Sequence, residues 1–197
     1  GDWSRMMGEP LDATEAPMLH SLFRRISDDG LRLAYCGSGP DEIFDGYSFG
    51  PRLADTNFET ISTGYLDRFS WTYDVSLAQL MPAHYAQARS NAIAKTEAML
   101  TPYRGLTQSP AQLAQFINVH GRLQNYEFAE MDMTSASHGV EARSPLIAGP
   151  IIEAAFSFDP ALKRRNDIAK WIYKESWRGI LPDSIIDRPK SGFETPI

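Results

Sequence analysis

The chain has 197 residues, 43% of them apolar and 22% charged, with a formal net charge of −6. That size can bury a real core, and the acidity argues against a nucleic-acid surface as the main function. No apolar run approaches the roughly 18 residues of a membrane span, and the polar opening GDWSRMMGEP does not read as a secretory leader. A single cysteine, Cys36, allows no internal disulfide, so a reducing, cytoplasmic setting is expected.

Residues 1–13 read as an irregular lead-in, as if from the middle of something longer. A helix is expected over 15–29, because Met18, Leu19, Leu22, Phe23 and Ile26 recur at helical spacing. Thr14 suits its N-cap and Gly30 its stop. The apolar run 31–36 follows directly and predicts a buried strand ending at Cys36, itself read as a small hydrophobe rather than a nucleophile. A Gly-Ser-Gly-Pro turn comes next, then Asp41 and Glu42. The acids sit just past the carboxyl end of that strand, where open α/β sheets bind ligands.

Residues 48–80 read as short helices and loops, with Phe49, Phe58, Tyr65, Phe69, Trp71 and Tyr73 serving either as core or as a substrate-facing lid. Good helix formers from His84 to Leu100 predict a helix that ends near Pro102. Ser109, Pro110 and Gln112 form a strong start signal for another, running to about 136 with a kink at Gly121. Met131 and Met133 on it read as core. Residues 138–147, HGVEARSPLI, read as extended, with Glu141 and Arg143 pointing the same way. Further helices are expected over 150–157, 166–179 and 181–186. One strand cannot form a sheet alone, so its partners must lie elsewhere.

Two acids after a glycine turn allow two readings. They suit Mg²⁺, which takes few carboxylates plus phosphate oxygens, or Asp41 caps the helix that begins there. The basic stretch Arg188-Pro189-Lys190-Ser191-Gly192 is likewise either a solvated tail or a phosphate clamp.

Three segments in order carry more than their parts: CGSGPDEIFDGY at 36–47, SASHGVEARSP at 135–145, and LKRRNDIAKWIYKES with LPDSIIDRPKSGF at 162–176 and 181–193. In these the chain resembles the C-terminal synthetase domain of the asparagine synthetase family, over about 15–47 and 110–193. The resemblance implies a helix-rich α/β fold, the C-terminal part of an adenine-nucleotide α-hydrolase-like domain of the PP-loop ATP pyrophosphatase kind, with much of the sheet missing. It implies that residues 1–197 lack the family's Ser-Gly-Gly-x-Asp-Ser ATP-pyrophosphate loop and any glutaminase domain, both expected upstream.

The activity it implies is ATP-dependent amide formation through an acyl-adenylate, with pyrophosphate release. The cofactors are ATP and Mg²⁺, and the substrate a small-molecule or peptide carboxylate. The partner is an upstream half or second chain carrying the ATP loop, with neither nucleic acid nor membrane involved. By position, Lys190 and Ser38 are the catalytic candidates. Gly37, Gly39 and Arg188 would bind substrate or ATP, Asp41 would hold the metal, and Glu42, Glu141 and Arg143 would be structural.

The chain also departs from the family's pattern. Ser38 stands where asparagine-forming members carry an acid and β-lactam-forming relatives a tyrosine, and a lone hydroxyl is a poor base. A specialised amide or lactam is therefore the expected product. Pro40 removes an N–H from the loop, Asp45 replaces a glycine, and Ala148 stands where the family has an acid. These losses also fit an alternative, a non-catalytic binding or scaffold remnant of the same fold.

Overall fold

A computed structural model describes residues 15–47, 58–69, 79, 82–107 and 109–191. The helices are α1 (Ala16–Asp28), α2 (Pro40–Ile43), α3 (Ile61–Phe69), α4 (Pro82–Arg104), α5 (Pro110–Ile117), α6 (Phe128–Ser137), α7 (Gly149–Ser157), α8 (Pro160–Lys163), α9 (Trp171–Ser176) and α10 (Asp183–Ile186). Strand β1 (Leu33–Tyr35) pairs in parallel with β2 (Glu141–Arg143), with Leu33 opposite Glu141 and Tyr35 opposite Arg143. This agrees with a helix-rich α/β class.

α1 follows its apolar stripe, burying Ala16 and Phe23 and packing against α6. Gly30 closes it at φ +79, where a residue without Cβ turns freely, and its N–H donates to Ser27 O at 2.9 Å. Thr14 lies outside the described residues. The strand is shorter than expected and not buried: Leu33 is 41% and Tyr35 70% exposed, because the pair with β2 covers only its edge. Cys36 is half-buried, and its Sγ lies 2.6 Å from Ser144 Oγ across the strand ends. The segment with Glu141 and Arg143 is extended as expected and proves to be the missing strand partner. Three residues are too few for an alternating pattern to announce a strand.

Two apolar cores hold the helices. Ile61, Tyr65, Leu100, Leu113 and Ile117 unite α3, α4 and α5, so Tyr65 serves as core. The side chains of Phe58 and Phe69, and all of Phe49, Trp71 and Tyr73, lie outside the described residues. Ile43, Phe44 and Ala155, joined by Ile147, Ile152, Ile172 and Tyr173, bring α2, α7 and α9 together beneath the glycine turn.

Two helical expectations change. α4 ends at Arg104, close to Pro102 as expected, with the proline inside its last turn. α5 starts at Ser109 as expected, its Oγ accepting from Gln112 N–H at 3.4 Å. Around Gly121 it widens into a π-helical stretch, Asn118–Glu127, before resuming as α6. Such stretches are rare and gather at functional sites. Finally, only 171–176 of the expected helix 166–179 is helical, because Asn166, Asp167 and Lys170 are left-handed, with φ of 50, 61 and 56. No helix among the described residues is long and apolar enough to cross a membrane.

Candidate functional site

The glycine turn leaves β1 and enters α2 at once. Gly39 has φ +108, and a Cβ there would fall 2.0 Å from Ile147 Cγ2, so only glycine fits. At Gly37 a Cβ would meet nothing within 4 Å. Pro40 occupies the first helical position, where its N–H would have had no intrahelical partner, so the donor lost from the loop costs little. Asp41 does not cap the helix: Gly39 holds the cap position, with no side-chain cap.

The Asp41 carboxylate instead faces two lysines from the far end of the chain. Lys170 Nζ lies 2.7 Å from Oδ1 and Lys190 Nζ 3.3 Å from Oδ2. Burial alone would raise the Asp41 pKa, but Lys170 and then Lys190 outweigh it and hold the carboxyl below its ordinary range. A Cβ at Gly46 would lie 1.7 Å from Asp41 Oδ1 and 2.7 Å from Asp41 Cα, so that glycine leaves room for the carboxylate and for the backbone that carries it. The sequence motifs brought Lys190 to Asp41 but missed Lys170. The N-D pair before it signals a turn, whereas a left-handed lysine gives no signal of its own. Strained backbone of this kind gathers at functional sites.

Behind Asp41 lies a buried knot. Glu42 is 1% exposed and accepts a hydrogen bond from Tyr47 OH. Glu127 Oε1 lies 3.2 Å from the same hydroxyl, and Arg122 Nε donates to Tyr47 OH at 2.8 Å and to Glu127 Oε1 at 2.9 Å. Burial, and then Glu127, push the Glu42 carboxyl up to about 8. The knot meets the lysines through Tyr47, whose ring lies 4.7 Å from Lys190 Nζ. Arg122 and Glu127 both come from the π-helical stretch, which the sequence showed only as a glycine in a helix.

The replacement of a glycine by Asp45 has a local explanation. Asp45 has φ +55, a conformation that favours glycine. Arg164 holds it there, with Nε 2.8 Å from Asp45 Oδ2 and Nη2 donating to the carbonyls of Asp45 at 3.0 Å and Tyr47 at 2.7 Å.

Ser38 is half-buried, and its hydroxyl makes no hydrogen bond with a described residue. Arg188 is exposed, with no ion pair to Asp41. Glu141 and Arg143 pair with each other at 2.8 Å on the exposed face of β2, a surface contact worth little stability. Among the described residues no three His, Cys, Asp or Glu side chains converge as a metal site. Asp41 offers one carboxylate beside two ammonium groups. That set fits phosphate oxygens together with a single protein ligand to Mg²⁺.

Comparison with known proteins agrees with the motifs. The asparagine synthase family model matches residues 2–197. Asparagine synthetase (glutamine-hydrolyzing) 1 of Bacillus subtilis strain 168 is 24% identical over 83 residues, a match covering 42% of this chain and 13% of that protein. No solved structure matches. With the first and third motifs meeting at Asp41, the second paired as β2 with the strand that leads there, and the family match running through all three, the chain belongs to the asparagine synthase family.

Proposed function

We propose that this chain is the carboxyl-terminal part of an ATP-dependent ligase that forms an amide through an acyl-adenylate. A substrate carboxylate attacks the α-phosphorus of ATP, pyrophosphate leaves, and an amine displaces AMP from the acyl carbon. The observation that carries this reading is the convergence of Lys170 and Lys190 on Asp41, beyond the end of β1. Two ammonium groups suit the charge that develops on departing pyrophosphate. Asp41 would hold Mg²⁺, which when bound supplies neutralisation of phosphate charge. Gly37, Gly39 and Ser38 would line the reacting carboxylate, and Arg188, exposed beside Lys190, would meet phosphate. The Glu42–Tyr47–Glu127 knot would keep Lys190 and the turn in register.

The reading also assigns a partner. A parallel sheet is ordinarily covered on both faces, yet among the described residues Leu31, Leu33 and Tyr35 are exposed beside a single neighbouring strand. An upstream half, or a second chain carrying the ATP loop, would supply further strands and complete the site. The test is to titrate ATP and Mg²⁺ into the chain with and without that upstream piece. Pyrophosphate release in the joined form is expected, and its absence there overturns the proposal.

One observation favours the second reading, a scaffold remnant: Asp41 is already neutralised by two lysines. Lys190→Ala separates the two. A ligase loses turnover by orders of magnitude, whereas a scaffold loses only slight stability.

A further inference from the structure

We propose that the cleft at the carboxyl ends of β1 and β2 receives a primary ammonium group carried on a short apolar body. Naming this ligand the amine acceptor rests on the function proposed above; ammonium binding itself does not.

The cleft has a volume of about 480 Å³, within the ordinary range for small-ligand sites. Its position ties it to the candidate site. Ala142 and Ser144, at the end of β2, form one wall, and Ser144 is bonded to Cys36 at the end of β1. Ile147 forms another wall and is the side chain that rests on Gly39. The cleft therefore shares a wall with the turn that leads to Asp41.

Its chemistry selects the ligand. Phe128, Met131, Ala142 and Ile147 give apolar surface, against the expectation that Met131 serves as core. Asp132 is the one formally charged group in the lining, and it makes no ion pair with a described residue. Gln124 and Ser144 offer neutral polar groups to either charge, but Asp132 would repel a carboxylate ligand and no cation in the lining would offset it. A cation would meet Asp132 while its apolar part covered the walls. Negative charge in the cleft and the lysines at Asp41 would thus sort an amine from an anionic phosphate on either side of one turn.

The probe is leucinamide, a primary ammonium on an isobutyl body, compared with 4-methylpentanamide, which has the same body and no amine. Binding is followed by NMR chemical-shift titration of the full chain. Leucinamide is expected to bind about fivefold tighter, the size of a partly exposed ion pair, with shifts centred on Met131 and Ala142. Added salt should shrink the preference in the unaltered protein, and Asp132→Asn should abolish it. Equal affinity, no binding, a preference surviving Asp132→Asn or added salt, or shifts centred elsewhere would each overturn the proposal. None of these readings uses ATP. Carboxylate-dependent exchange of pyrophosphate into ATP, measured in the joined form without amine, tests the ligase reading separately.

Discussion

Replacing Glu42 by Gln isolates the protonation of the buried knot. The Glu42 carboxyl is held at about 8 rather than 4.5, by burial and then by Glu127. The folded chain therefore keeps a proton that the unfolded chain releases near 4.5. Stability from this group is fully present below the unfolded value and is lost as pH rises, until the folded group itself ionises near 8. A one-proton difference is worth about 1.4 kcal/mol per pH unit. Between about pH 5.5 and 7.5 the group thus removes roughly 2–3 kcal/mol of unfolding free energy. Glu130 adds slope of the same sign: it is 3% exposed, its Oε1 lacks a hydrogen bond among the described residues, and burial, then Glu15 and Glu127, push it up to about 7. Gln is nearly isosteric with the protonated acid and still accepts from Tyr47. Glu42→Gln should leave stability at about pH 5.5 within about 1 kcal/mol, and raise it at about pH 7.5 by about 2 kcal/mol. Urea unfolding at the two pH values, with m unchanged, measures both. Parallel pH slopes in the two proteins would refute the reasoning.

Lys170→Ala and Lys190→Ala should each lower pyrophosphate release by the joined enzyme about 10²–10³-fold with melting temperature little changed; turnover equal to the parent's in either variant counts against the clamp. Asp45→Gly should stay within about 1 kcal/mol of the parent in thermal unfolding, because relief of the left-handed backbone offsets loss of the Arg164 pair, while Asp45→Ala loses the pair without that relief and should fall about 1–2 kcal/mol below. Gly46→Ala should drive the Asp41 carboxylate off Lys170 and reduce pyrophosphate release as far as Asp41→Ala does, which the same assay compares. At the α1–α6 contact, His138 Nε2 lies 3.0 Å from His20 Nδ1. Burial, then His20 and Arg24, hold His138 below its ordinary 6.5 against an opposing effect of Asp28. This contribution is present above pH 6.5 and lost as pH falls, opposite in sign to Glu42. Protection factors of the α1 amides, corrected for the intrinsic exchange rate at each pH, should fall on acidification, and His138→Gln should blunt that change.

How far the sequence revealed the fold depended on whether the cause was local. The amphipathic stripe of α1, the Ser109 cap and the glycine turn were legible, since each is set by neighbours within about one helical turn. β2 was not, because its three residues are made a strand by β1, more than a hundred positions away. The left-handed 166–170 segment was misread for a similar reason. Its sequence is compatible with a helix, and the pull of Lys170 on Asp41 is a long-range contact. The π-helical stretch had only Gly121 as a trace. At the site, motif order was enough to pair Lys190 with Asp41. It could not reveal that the carboxylate and the ammonium would touch directly.

That direct contact has a consequence for ligand entry. Lys170 and Lys190 have one shared partner in Asp41, so an arriving polyphosphate competes with a carboxylate already in place. Lys190 is the looser of the two, at 3.3 Å and 49% exposed, against 2.7 Å and 22% for Lys170. The more exposed and more distant ammonium gives up less to leave. The Lys190 ammonium is held by Asp41 and by the face of the Tyr47 ring. Lys170, by contrast, is fixed by its left-handed backbone and by the start of α9. Phosphate should therefore draw Lys190 away first, while Lys170 keeps Asp41 ionised and the turn in shape. This order follows from burial and distance alone. It would fail if phosphate titration shifted the Lys170 ammonium resonance before that of Lys190.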